Sequence, residues 1–201
     1  MTLTPYKQAH QGQDPRENYL LSKDDEVIVH KTDIEEIHYR NVKVKHLCSR
    51  SRKWIWKPIT VRHREDGPAH TRKRMGGKWR RVVVEEKTWY YLGFRHRTDG
   101  PAVLNADGDK IWYKWGGIHR VGGPAVIRGT GKKVWWENDK VYRRHGPNIV
   151  EADGTMRWIN GKSQPHRESG PAVIYKNGEQ QWYLNGERHK EDGPAVVNWN
   201  G

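Results

Sequence analysis

The sequence predicts an all-β chain built as an elongated single-chain stack of β-hairpin repeats, about six units of 23 residues. Three observations carry this. Gly-Pro-Ala or a close variant recurs at Gly67, Gly100, Gly123, Gly146, Gly170 and Gly193, at spacings of 33, 23, 23, 24 and 23 residues. A Trp follows that Gly by twelve residues in five units, at Trp79, Trp112, Trp135, Trp158 and Trp182. The composition suits strands and turns: 11 Trp, 9 Tyr and 21 Gly stand against a single Phe. An apolar fraction of 34% and a mean hydropathy of −1.07 would alone suggest disorder, but disordered chains are poor in aromatics. The core is therefore expected to consist of Trp, Tyr, Val and Ile.

In chain order, residues 1–18 read as a polar tail with Pro5, Gly12 and Pro15. Residues 19–53 hold two alternating runs, Val27-Ile28-Val29 and Ile37 to Val44, that suit a β cap, with a diverged repeat as the alternative. Residues 54–201 form the array. Trp56 sits seven residues before His63, as Trp112 does before His119, which starts the array at or before Trp54. Each unit carries His (once Tyr142) four residues before its Gly, and a basic residue follows, from Arg64 to Lys190. Asp107-Gly108, Asp153-Gly154 and Asn177-Gly178 suit a hairpin turn with positive φ, and Pro beside each Gly belongs at a strand's start or edge. The 33-residue unit contains about ten extra residues around 72–87, and Trp89-Tyr90 repeats its Trp signal.

This H-R-x-D-G-P-A unit resembles MORN-type repeats, in the variant met in large DNA viruses and bacteriophages. The likeness covers residues 54–201, but Gly-Pro-Ala stands where the usual unit has Gly-x-Gly. It implies a β-hairpin stack that serves as a scaffold, dimerisation module or lipid contact, with no catalysis by the repeats. A viral or phage source follows from the same likeness.

The recurring His are one unit apart, which is not a ligand spacing, so a hydrogen bond within each turn is the favoured role and no metal is expected. The in-register Trp are expected in the core before they are expected as a base-stacking platform. Cys48 beside His46 lacks an orienting third group, and no phosphate-loop, nucleophile-elbow or zinc-protease motif occurs. An enzyme is not expected, nor is a cofactor. One Cys, no secretory h-region and no long apolar run point to the cytoplasm, that of the host or the virion if the source is viral, with a membrane role disfavoured.

Charge is concentrated. Residues 40–81 carry fifteen Lys and Arg against Glu65 and Asp66, equal to the whole net charge of +13. Two stretches dominate: Arg50, Arg52, Lys53, Trp54 and Lys57, and Arg72, Lys73, Arg74, Lys78, Arg80 and Arg81 around a Gly-Gly turn. Such a basic, Trp-containing face is expected to contact nucleic acid or another polyanion, with little dependence on base sequence. The alternative is a scaffold or inhibitor docking an acidic partner protein, and a weaker third is an anionic membrane. At the other end, Ala195 to Trp199 reads as a strand paired on one side with Trp182-Tyr183. Val196, Val197 and Trp199 then form an open edge expected to self-associate or recruit a partner.

Overall fold

The computed structural model describes residues 19–20, 27–32, 35–47, 54–76 and 82–198, with the backbone alone at 19–20, 27–28, 41–47, 54–60, 74–76 and 82–84. Every described element is a strand. The chain divides into two compact bodies, residues 1–107 with 112–117, and residues 108–111 with 118–201.

The first body is organised on one long strand. Strands β1 (Tyr19–Leu20), β2 (Val27–Lys31), β4 (Trp54–Arg62) and β5 (His70–Gly76) all pair antiparallel with β3 (Glu35–Leu47). β6 (Val82–Thr88) returns along β5 and pairs in turn with Val103–Leu104.

The second body is an open antiparallel sheet of two-residue strands in chain order: Lys110–Ile111, Val126–Ile127, Lys133–Val134, Ile149–Val150, Met156–Arg157, Val173–Ile174, Gln180–Gln181 and Val196–Val197. Three of its sheet hairpins close identically. Gly131 donates to the Arg128 carbonyl at 2.9 Å with φ +97°, and Arg128 donates to Lys132 at 2.8 Å, a three-residue loop with a left-handed Gly. The Asp and Asn before these glycines do not take positive φ. Instead Asp153 and Asn177 accept the N–H of Thr155 and Glu179 through Oδ1, at 2.8 and 3.1 Å.

The sequence suggested one hairpin per unit, and the structure has two. After the Trp, the chain turns again on two residues that both have positive φ: Leu92-Gly93, Asn138-Asp139 and Asn185-Gly186. The Tyr that follows the Trp belongs to this second hairpin. Val196–Val197 consequently pairs with Gln180–Gln181 and not with Trp182-Tyr183, although Trp182 still donates to the Ala195 carbonyl at 2.9 Å.

The recurring His explains the second turn. Nδ1 of His63, His96, His119 and His166 accepts the N–H of the first turn residue ahead, Leu92, Trp115, Asn138 and Asn185, at 3.1 to 3.3 Å. A left-handed residue aims its N–H away from the sheet ladder, and the imidazole satisfies it. At Leu92, 1% exposed with φ +49°, the bond offsets a strain that Asn or Gly would not carry.

The basic residue after the His has an equally fixed place. The guanidinium carbons of Arg97, Arg143 and Arg167 lie 4.1 Å from the ring centroids of Trp89, Trp135 and Trp158, and Lys190 covers Trp182 at 3.9 Å. Each of these Arg also donates to the Pro carbonyl of its own Gly-Pro pair, at 2.9 to 3.4 Å. The Gly makes room: a Cβ on Gly100 would stand 3.0 Å from Arg97 Cζ. These Trp are therefore half-buried, each under a cation, and the expectation of a Trp and Tyr core is corrected. Among the described residues the buried apolar side chains are Ala69, Ala102, Ala125 and Ala172, all 0% exposed, with Ile37, Val126, Val134, Val173 and a small cluster of Leu92 and Phe94.

One unit breaks the pattern at three places together. Tyr142 replaces the His, Asn148 replaces the Ala, and the next turn is one residue longer, spanning Asn160 to Gln164. With no two-residue turn ahead, no N–H awaits an imidazole, and Tyr142 is exposed. Asn148 takes over by bonding Ile159 at both its N–H (3.0 Å) and its carbonyl (2.8 Å).

Candidate polyanion interface

The hydrogen bonds locate residues 35–62 within the repeating pattern. At Trp89, Trp158 and Trp182 the unit Trp donates to an Ala carbonyl and accepts from the His N–H: Trp89 donates to Ala102 at 2.8 Å and accepts from His96 at 3.2 Å. In the first unit His38 fills that place, donating to Ala69 at 2.8 Å and accepting from His63 at 3.2 Å. Trp56 therefore does not hold the unit position that its spacing suggested. It lies within β4, opposite Lys45. The sequence signal was Ile37-His38-Tyr39 beside Ile111-Trp112-Tyr113, with His in place of Trp.

Two oversized hairpins follow from this alignment. Tyr39 pairs with Arg62 as Tyr90 pairs with Arg95 and Tyr183 with Arg188. Between Tyr39 and Arg62 the chain has 22 residues, where Tyr90 and Arg95 enclose four. The extra length forms the nine-pair β3–β4 ladder from Tyr39↔Arg62 to Leu47↔Trp54. The next sheet hairpin, β5–β6, has seven pairs where its counterpart Val126–Ile127/Lys133–Val134 has two, and both leave five residues between their arms. The ten extra residues are thus five on each arm.

Both hairpins lie along one edge of β3. β4 runs from opposite Leu47 to opposite Tyr39, and β5 continues from opposite Ile37 to opposite Glu35 and beyond. The two hairpins consequently extend toward opposite ends of β3. Past Arg72 and Lys87 the β5–β6 ribbon has no further strand on either edge among the described residues.

The roots of the hairpins are neutral. Arg64 bonds Asp66 at 2.9 Å and stands 2.9 Å from His38 Nε2, where later units place Arg on Trp. Arg62 covers the Tyr90 ring at 5.3 Å, and Arg40 lies 3.7 Å from Glu65. Glu35 contacts His70 at 2.7 Å and Glu36 contacts His38 at 2.6 Å, and these hydrogen bonds hold both carboxyls below the usual range. Across the ribbon Arg72 pairs in register with Glu86 and Lys73 with Glu85, so two expected site residues face acids. An open concavity of about 550 Å³ beside this root is lined by both signs of charge, including Lys31, Glu35, Glu36, Lys73 and Glu85.

Beyond the roots the acids stop. From Arg74 to Val84 the sequence has no Asp or Glu, and none lies between Arg40 and Arg64. Arg74 pairs with Val84, Lys57 with Val44 and Trp54 with Leu47 in backbone register. Arg50, Arg52, Lys53, Lys78, Arg80 and Arg81 lie outside the described residues, as do Cys48, Trp79 and Trp199. Val196 and Val197 are half-buried on the last described strand. Among the described residues no cluster of His, Cys, Asp or Glu could hold a metal ion, and no helix is long and apolar enough to cross a membrane. Comparisons with protein-family models, with curated proteins and with solved structures return no match.

Proposed function

We propose that this chain is a non-enzymatic, MORN-like β-repeat binding protein, and that its two oversized hairpins contact nucleic acid or a similar polyanion. One observation carries the reading. The stretch that holds the whole net charge, residues 40–81, overlaps the chain added to the two hairpins, which the recurring hydrogen bonds do not need. A basic two-stranded ribbon also has the width that a duplex major groove admits.

Affinity for duplex DNA should fall linearly on a log–log plot against salt, steeply between 50 and 200 mM, as phosphate contacts release counterions (slope about −0.9 per phosphate). Changing Arg72, Lys73, Arg74, Arg80 and Arg81 to Ser should weaken binding at least tenfold and leave thermal unfolding unchanged. Scrambled duplexes should compete equally. Capture experiments with and without nuclease separate this from the second reading, an acidic protein docked by a scaffold or inhibitor. That reading is favoured by the open edges of the β5–β6 ribbon, which could accept a partner's strand. Tight, salt-insensitive protein capture with no DNA shift at low salt would replace the first reading by the second.

A further inference from the structure

We propose a second binding site, for single-stranded nucleic acid, on the turn edge of the second body formed by residues 119–123 and 142–146. It lies outside the hairpins and stands on separate observations.

Two residues after the His, other units carry Glu65, Glu168 or Glu191, and three residues after it Asp66, Asp99 or Asp192. In these two consecutive turns the places are taken by Val121 and Gly122, and by Arg144 and His145. Both turns have lost their carboxylates, and one has gained two basic side chains. The backbone brings the turns together. Arg120 donates to the Trp136 carbonyl at 3.1 Å, Tyr142 donates to Trp135 at 3.1 Å, and Val141 pairs with Trp136. The two turns therefore flank the same short strand, about 10 Å apart, or two strand spacings.

Exposure concentrates at the same edge. Val29, Val121 and Tyr142 are the large apolar side chains exposed among the described residues, and the last two, at 76% and 50%, lie here. Tyr142 stands where the altered turn ahead gives an imidazole nothing to bind, and the residue is half exposed. Arg144, His145 and Lys140 are exposed beside it. Arg143 is committed to Trp135 and the Pro147 carbonyl. The nearby acids are Glu137, in register with Lys140, and Asp139, whose carboxylate accepts the Ile118 N–H at 2.7 Å. An exposed aromatic side chain close in sequence to the exposed Arg144 and His145 is an arrangement that can stack a base and contact its flanking phosphates.

The test uses the full chain and a fluorescein-labelled dT oligomer of about ten nucleotides, the order of one site. The background is the five-Ser hairpin variant. Two further variants are made: Val121→Glu with Arg144→Glu, which takes residues from sister units of this chain so that the turns should fold, and Tyr142→Ala at an exposed position. In the hairpin background the oligomer should still bind, with a salt slope of about −0.7 per phosphate. The Glu pair should weaken it at least tenfold, Tyr142→Ala by about tenfold, and ultraviolet crosslinks should map to the peptide holding Tyr142. Loss of all binding in the hairpin background overturns this site and leaves the hairpin reading standing. Full affinity in that background, abolished by the Glu pair, overturns the hairpin reading and supports this one. Unchanged affinity of the Glu pair, or capture of an acidic protein at this edge in place of the oligomer, overturns the proposal.

Discussion

Replacing His63 by Phe should destabilise the first body by about 2 kcal/mol, and the matching change at His166 should cost less than about 0.5. His63 is 3% exposed, and its Nδ1 accepts the Leu92 N–H at 3.1 Å, with Leu92 itself 1% exposed. Phe keeps the volume and the contact with the Tyr91 ring, at 4.7 Å between centroids, but leaves a buried N–H unbonded, at about 1–3 kcal/mol. At His166 the partner is the exposed N–H of Asn185, which water can satisfy. Amide exchange reads the difference directly: 2 kcal/mol corresponds to about 30-fold faster exchange at Leu92. A pH dependence accompanies it. Burial first, and then the Arg40 charge, push His63 below its ordinary value, so the folded state disfavours the imidazolium. The unfolded state then binds more protons, and stability rises with pH in that window. The contribution is full above about pH 6.5, the unfolded value, and is lost as pH falls toward the lower folded value. Urea titrations at pH 8 and pH 5.5 should show a gap in the wild type that His63→Phe reduces. Equal losses at His63 and His166, or the same pH gap in both proteins, would refute the reasoning.

Gly100→Ala has an allowed φ but places a Cβ 3.0 Å from Arg97 Cζ, so it should push the guanidinium off Trp89 and cost about 1 kcal/mol in thermal unfolding. Asn148→Ala restores the residue of the sister units yet should destabilise by about 2 kcal/mol, because Ile159 loses two hydrogen bonds. Removing residues 72–76 and 82–86 leaves His70-Thr71 and Lys87-Thr88 around the same five-residue loop. Circular dichroism should remain that of a sheet, and DNA affinity should fall at least tenfold.

Much of this was legible because the period was written in Gly, Pro and Ala, which the backbone needs. The 33- and 24-residue spacings coincide with a longer hairpin and a longer turn in the structure. The second hairpin was hard to read, since its turn uses Leu92-Gly93, Trp115-Gly116 or Asn138-Asp139 in most units and the Asn-Gly signal only at Asn185-Gly186. His38 hid the first unit by replacing an indole with an imidazole. Trp abundance misled about the core, because an indole under a guanidinium looks in sequence like an indole in an interior. The charge count could not show that Glu85 and Glu86 stand opposite Lys73 and Arg72 across the ribbon.

The reach of the His bond has a genealogical consequence. It spans 19 residues at His96, His119 and His166, and 29 at His63, the same reach plus the ten residues of the longer hairpin. Each bond ties a turn to its immediate successor and to nothing farther. Copying or deleting one whole period during replication would therefore hand every surviving imidazole a new N–H in the right place. Such a gene can change its number of periods by slippage without passing through a broken intermediate.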